Sequence, residues 1–306
     1  MGRYALSPPT LRIFCAVVLC GILAAGLWPF HAPRNEVAWL RRENGLLLGK
    51  YGSIVSMGTF RANRSDGPCS LEIWLEPNGA DAWGTILAFY SPESRVVPFA
   101  LRQSLGDLEL QHTGQDQFHH AKKTRIYADV FSHSRQVVVT ITSGESGTTV
   151  YADGVPVRKS PNPRFSRRDL TGQFVVGNSP VTTDSWSGQL RGLAIYSREL
   201  SSNDVSKHYA HFIESKQTEL PKSEGVVAFY PFNEGNGNVV KNQVDSATDL
   251  LIPARFFVLH RRFLEPFWEE FYGGPPTIEP LLEYRGLSAP KKTAPATPTT
   301  PAKKES

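Results

Sequence analysis

The sequence predicts an all-β fold, two antiparallel sheets packed as a sandwich, with one or two peripheral helices and an N-terminal transmembrane helix. Three observations carry this. Short runs with period-two alternation recur at regular spacing along the chain, with turn residues between them, giving about eleven strands. Gly and Pro number 25 and 23 among 306 residues, and 40% of residues are apolar, the balance of a turn-rich chain with a real core. Residues 13–28 carry no charge and follow Arg3 and Arg12.

The best strand signal is Trp186 to Leu200. Leu190, Gly192, Ala194 and Tyr196 share one face, and Arg191, Leu193 and Ile195 the other. Apolar residues on both faces predict a strand lying between layers. A helix signal follows. Ser201 or Ser202 caps, Asn203 and Asp204 fill the first turn, and Val205, Tyr209, Phe212 and Ile213 recur at helical spacing. Val150 to Val157 reads as a hairpin turned by Asp153-Gly154, a pair that accepts the positive φ angles of a type I′ turn. In Cys69 to Pro77, Leu71, Ile73 and Leu75 face one way and Glu72, Trp74 and Glu76 the other.

These three segments resemble the laminin-G-like, concanavalin A-like lectin/glucanase jelly-roll domains. The resemblance covers roughly Gly58 to Lys216 and implies a jelly-roll sandwich. The order of anchor, sandwich and the Ile252-Pro253 stretch resembles the extracytoplasmic part of bacterial proteins that fuse such a domain to a VanZ-type helical bundle. Residues 273–306 do not read as such a bundle.

The remaining elements follow in order. Residues 1–30 form a signal anchor or a cleaved signal peptide with Ala24-Ala25-Gly26 as the cut site. The anchor is preferred, because Trp28 and Phe30 resemble an interfacial aromatic belt, although the uncharged run is short for a bilayer span. The protein is then expected at the bacterial cytoplasmic membrane, single-pass, with its body on the extracytoplasmic side. Residues 31–52 are a connector that packs on the domain as an edge piece, since Val37, Trp39, Leu40 and Leu46 to Leu48 are apolar.

The sandwich is expected over 53–250. Its strands run over Ser53 to Phe60, Gly84 to Tyr90, Val96 to Gln103, Leu108 to Gln111, Arg135 to Ser143 and Phe174 to Asn178. Asn63-Arg64-Ser65 has the form of a glycosylation sequon. Gln115 to Lys123, with His119 and His120, reads as a surface loop. Gly225 to Val240 is apolar on both faces. It is expected to close the domain beside the Gly188 to Tyr196 strand or the Phe60 region, with Glu234 to Gly237 as a rim loop. Residues 251–272 read as an aromatic amphipathic helix, packed on the sandwich or lying in a membrane interface. Residues 273–306 form a Pro/Thr/Lys tail whose composition cannot bury a core.

The net charge of +4, without a basic stripe interleaved with aromatics, argues against nucleic acid as a partner. Cys69 is the single cysteine outside the N-terminal segment, so no internal disulfide is expected. Glucanases of the resembling superfamily place Glu, Asp and Glu at alternate strand positions. Here Glu72 and Glu76 flank Trp74, so the middle carboxylate is missing and no catalysis is expected. Glu72 and Glu76 read as solvated strand residues.

The resemblance implies a lectin-like module that binds carbohydrate or cell-envelope glycan, anchored in the membrane. A protein–protein adhesion module is the rival, and a glycoside hydrolase of the same fold a third reading. Sugars dock on exposed rings flanked by polar groups, and Trp83 beside Asp81 and Trp186 beside Asp184 offer that combination in loops. No cofactor is required. Calcium, which some relatives hold at the rim, would find its oxygen donors in Asp81, Asn178 and Asp184.

Overall fold

The computed structural model describes residues 8–27, 33–61, 66–115, 121–132, 136–215 and 225–260. Within the first compact unit, Met1–Val258, two sheets enclose one core. The eight-stranded sheet has the order β1 (Val37–Trp39), β2 (Leu46–Leu48), β14 (Gly188–Tyr196), β5 (Cys69–Pro77), β10 (Val137–Gly144), β11 (Gly147–Ala152) and β12 (Val155–Ser160), with β15 (Val226–Tyr230) also on β14. The nine-stranded sheet runs β16 (Val239–Val240), β17 (Leu250–Leu251), β3 (Ile54–Ser56), β13 (Thr171–Val176), β6 (Trp83–Ser91), β7 (Val96–Ser104), β8 (Asp107–Gln115) and β9 (Ala121–Asp129). β4 (Phe60–Arg61) also pairs with β13. Every pairing between named strands is antiparallel.

Alternation decides what each strand buries. Leu71, Ile73 and Leu75 of β5, Val137, Val139 and Ile141 of β10, and Leu108 and Leu110 of β8 all enter the main core. Phe60, Phe89, Phe99 and Phe174 meet at its centre, with the rings of Phe89 and Phe174 stacked at 4.6 Å. Burying side chains of this size contributes about 1.5–3 kcal/mol each. The hairpin turn sits where the sequence puts it. Asp153 and Gly154 have φ of 51° and 79°, and a side chain at Gly154 would press on the Tyr209 ring.

β14 is an interior strand and departs from the expected alternation. Its pairing with β5 shifts register between Leu190 and Gly192, a bulge at Arg191. Leu190, Leu193 and Ile195 therefore all reach the main core, and Ala194 and Tyr196 face the other way. β14 is long enough to take β2 against its first residues and β15 against its last.

Helix α2 (Ser202–Ser215) covers the side of this sheet away from the core. Val205 packs with Tyr151, Ala194 and Tyr196, and Phe212 packs on Trp74 and Val138. Its start is a capping box. Ser201 Oγ accepts from the Asp204 N–H at 3.2 Å, and the Asp204 carboxylate accepts from the Ser201 N–H at 3.0 Å. Because α2 seals this face, Glu72 and Trp74 are buried rather than solvated.

Several expectations are corrected. Residues 225–240 do not form one strand. β15 joins β14, but after the loop around Glu234 to Gly237 the chain crosses to the other sheet as β16. Ser53 to Phe60 splits into β3 and β4. The polar stretch from Gln115 to Lys123 is not all loop, since Gln115 pairs with Ala121. The helix expected from 251 does not begin there: Leu250–Leu251 is a strand and Arg255 bridges Arg34. The start of that stretch is drawn into backbone pairing, which a helix would forfeit. Its remainder from 261, the tail, Asn63 to Ser65, His119 and His120, and Trp28 to Phe30 lie outside the described residues.

The connector contributes β1 and β2 to the sheet itself. Helix α1 (Pro8–Leu27) has 20 residues and exposes Ile13, Phe14, Val17, Val18, Leu19, Ile22 and Leu23. Among the described residues no helix is long and apolar enough to cross a membrane. Pro8, Pro9 and Arg12 occupy the first turns of α1. The uncharged run left inside it is short of the roughly 20 residues that a span requires.

Candidate functional site

The expected ring-and-carboxylate pairs resolve into one assembled face and one buried ring. On β6 to β9, the residues that alternate with core leucines look outward from the nine-stranded sheet. Cross-strand register sets Thr85 opposite Arg102, Arg102 opposite Glu109 and Glu109 opposite Tyr127, so these four form one row across four strands. The neighbouring row toward the strand ends is Trp83, Ser104, Asp107 and Asp129. On the other side lie Ala88, Ala100, Gln111 and Arg125.

A continuous polar network fixes this row. Arg102 grips Asp184 with two nitrogens, Nε to Oδ2 at 3.0 Å and Nη2 to Oδ1 at 3.2 Å, and gives Nη1 to Glu109 Oε2 at 2.7 Å. Thr85 Oγ1 donates to Asp184 Oδ2 at 2.6 Å. Glu109 Oε1 accepts from Gln111 at 2.7 Å and Tyr127 at 3.3 Å, and pairs with Arg125 Nε at 3.1 Å. Glu109 is only 2% exposed, so its charge is covered by its own partners. Burial works against the charged guanidinium of Arg102. Its bonds to Asp184 and then Glu109 more than offset this, and its pKa is raised.

Asp184 reaches the row from the loop before β14. The Thr85 N–H donates to the Asp184 carbonyl at 2.9 Å, and Thr85 bridges Ser185 in parallel sense. Trp83, which opens β6 rather than lying in a loop, and Tyr127 are 57% and 42% exposed. Two flat rings thus border a floor of fixed donors and acceptors. Within that floor Thr85 and Glu109 are buried, and Arg102 and Asp184 reach the surface.

Trp186 is not part of this face. It is fully buried, its Nε1–H donates to Gln103 Oε1 at 2.8 Å, and Gly188 leaves the room its ring needs. Asp81 is exposed in the turn before β6, and among the described residues no hydrogen bond joins it to Asp184 or Asn178.

The calcium set does not fit. Both Asp184 oxygens are held by Arg102. Asn178 is fully buried, and its Oδ1 accepts from the Asp184 N–H at 3.1 Å and from Ser185 Oγ at 3.4 Å. Its Nδ2, a donor that no cation can use, is left without a partner among the described residues. Among those residues, no group of three His, Cys, Asp or Glu side chains could hold a metal ion.

Arg102, Glu109, Gln111, Arg125 and Tyr127 were not singled out from the sequence. A signal exists in Leu101-Arg102-Gln103 and Leu108-Glu109-Leu110-Gln111. There, polar residues alternate with leucines on either side of a two-residue turn, which sets Arg102 opposite Glu109.

The glutamates at the glucanase-like positions lie elsewhere. Glu72 is 2% exposed under α2. Its Oε2 accepts from Tyr196 OH at 2.5 Å and stands 3.0 Å from His208 Nδ1, and its Oε1 accepts from Thr140 Oγ1 at 3.1 Å. Burial, then the Glu72 carboxylate, push the Tyr196 phenol well above its ordinary pKa. Glu76 is half-exposed and pairs with Arg191. No substrate reaches Glu72 while α2 is in place.

A family model of the concanavalin A-like lectin/glucanases superfamily, of laminin-G type, matches residues 50–206. Among curated proteins, none matches the sequence. Among solved structures, the chain is similar to a putative carbohydrate binding protein from Bacteroides ovatus, at 14% identity and TM-score 0.48, over 72% of this chain and 62% of that one. It is also similar to a native heptameric SAP-like pentraxin from Limulus polyphemus, at 15% identity and TM-score 0.42, over 74% and 94%. A third is the receptor binding domain of botulinum neurotoxin D, at 17% identity and TM-score 0.42, over 58% of this chain; the match spans about half of that domain's length, 46%. With half of its length matched by the family model and two antiparallel sheets built around it, the chain belongs to the concanavalin A-like lectin/glucanase superfamily.

Proposed function

We propose that this protein is a non-catalytic carbohydrate-binding module, carried on the outer side of a membrane by its N-terminal segment. The observation that carries the binding reading is the row Thr85, Arg102, Glu109 and Tyr127. It is held rigid by Asp184, Gln111 and Arg125, and the exposed rings of Trp83 and Tyr127 border it. A ring covers the apolar C–H patch of a sugar, while Arg102 and Asp184, the partly exposed members of the network, meet its hydroxyls. The family supports the class of ligand. The non-catalytic reading is supported by Trp74 between Glu72 and Glu76, and by the closure of α2 over Glu72. Anchoring is supported by the exposed apolar side chains of α1 and by Trp28 and Phe30 beyond it in the sequence.

The test is a glycan array probed with the full chain in detergent micelles, beside a Trp83→Ala/Tyr127→Ala double variant. Binding to a set of glycans that the variant loses supports the reading. Equal binding by both proteins overturns the assignment of this face. Hydrolysis of a bound glycan overturns the non-catalytic reading. Adhesion to a cell-envelope protein has its own observation: β12, the last strand of its sheet, leaves Val155 62% and Val157 41% exposed.

A further inference from the structure

One corner of the sandwich joins three features, of which the sugar reading uses only the Trp83 ring. Trp83 and Leu105 are 57% and 47% exposed and adjacent: Trp83 pairs with Ser104, and the Leu105 N–H donates to the Ala82 carbonyl at 3.1 Å. Leu105 has a φ of 57°, a conformation that favours Gly, Asn or Asp. The turn thus tolerates backbone strain while presenting an aliphatic tip to solvent, a combination met more often at functional positions than in neutral turns.

The corner also lies at the end where the chain arrives from α1. Val37, the first residue of β1, stands in one cross-strand row with Leu48, Gly188 and Pro77. From Pro77 the short turn through Asn78 to Ala82 leads straight into Trp83. So Trp83, Leu105 and the entry of the connector share one end, and the Gly144–Gly147 turn marks the opposite end. The chain between Leu27 and Pro33 reaches at most about 20 Å even when fully extended, so this end stays close to α1.

We propose that the Trp83–Leu105 corner rests on the surface of the bilayer that holds α1, as a second contact that fixes how the sandwich stands. The proposal rests on the anchoring reading given above. Two side chains are too few to hold a free protein on lipid. They suffice for a tethered one, because the tether keeps the local concentration at about millimolar or above. Trp and Leu suit this depth, the indole at head-group level and the aliphatic tip below it. Asp81, Asp107 and Asp129 flank the corner, so a zwitterionic surface fits it better than an anionic one. The polar row lies next to the corner, so a glycan bound there is one displayed near that bilayer.

The test places a solvatochromic maleimide on Leu105→Cys, and separately on Glu145→Cys at the opposite end, in the full chain carrying Cys15→Ser and Cys20→Ser. Both are reconstituted in phosphatidylcholine vesicles with and without brominated acyl chains. The expected result is a blue shift and loss of emission for the Leu105→Cys probe in brominated vesicles, and neither for the Glu145→Cys probe. Intrinsic fluorescence gives a second reading: Trp83→Phe removes a lipid-quenched component. If carbonate leaves the chain in the pellet and both probes report water, the corner contact is wrong and the anchor stands. If both probes are quenched, the contact is unspecific and the proposal fails. If carbonate releases the chain, anchor and contact fail together.

Discussion

His208 Nδ1 stands 3.0 Å from Glu72 Oε2, although one residue lies on helix α2 and the other on strand β5, 136 positions apart. Tyr196 and Thr140 fill the remaining acceptor sites of the same carboxylate. Four elements thus meet at one buried charge. Removing its partners or the charge itself leaves polar atoms orphaned. Glu72→Ala orphans the Tyr196 and Thr140 hydroxyls and is expected to cost about 1–3 kcal/mol for each donor left unsatisfied, and Tyr196→Phe about 1.5–3 kcal/mol, the range of a hydrogen bond to a charged group. Urea unfolding of the two variants measures this. Native stability in Glu72→Ala would falsify the role given to the cluster.

The capping box at the start of α2 makes a pH prediction. Hydrogen bonds from Arg198 and then from the Ser201 N–H hold the Asp204 carboxyl down to about 2. In an unfolded chain an Asp titrates at about 3.9. The folded value is the lower one, so this contribution is complete above about pH 4 and disappears as pH falls through about 2. Asp204→Asn should flatten the acid side of the stability profile in that window, and Ser201→Ala should cost about 1 kcal/mol at neutral pH. A profile unchanged by Asp204→Asn counts against the box.

On the candidate face, position decides the kind of effect. Tyr127 is 42% exposed and gives Glu109 one long hydrogen bond, so Tyr127→Ala should cost only about 1 kcal/mol of stability. The same change should weaken glycan binding by about tenfold or more, equivalent to roughly 1.4 kcal/mol. Arg102→Ala should lower both, because it leaves Glu109 and Asp184 without their shared cation. Calorimetry with a glycan found on the array, beside thermal melts, separates the two cases. Equal affinity for Tyr127→Ala and the parent would remove the ring from the site.

Cys69 gives a chemical check on the core. Burial, with the Asp169 charge adding to it, pushes its thiol far above the ordinary value. The thiolate is the reactive form. Cys69 should therefore resist maleimide at pH 8 in the native protein and react fully in denaturant. Rapid native labelling in a variant lacking Cys15 and Cys20 would show that β5 is not covered.

The last strands are part of the core, not an appendage. Ala228, Tyr230 and Phe232 are fully buried, and the Tyr230 hydroxyl donates to the Thr248 carbonyl at 2.7 Å. Tyr230→Ala should cost about 3–5 kcal/mol, as for other large aromatic truncations in cores. A chain ended at Lys222 should fail to melt cooperatively. Melting at the parent temperature would place the domain boundary earlier.

The sequence by itself determined what depends on near neighbours along the chain. The alternation in Cys69 to Pro77 set Leu71, Ile73 and Leu75 against the core, and Asp153-Gly154 set a hairpin, because period and turn chemistry are local properties. The Ser201 and Asp204 signals marked the helix start for the same reason. What only the tertiary structure decided depends on pairing between distant segments. A bulge at Arg191 redirected half of β14, and the chain after Phe232 crossed to the other sheet. Trp186 went inward to Gln103 while Trp83, with the same local pattern, stayed out. Glu72 became buried because α2 folds back over it. Arg102 faces Glu109, 7 positions on, through a local two-residue turn, but Asp184 reaches Arg102 from 82 positions away only because the loop before β14 folds against β6, where Thr85 bridges Ser185. Hydrogen bonds of that kind act over about 3 Å in space and leave no periodic trace along the chain.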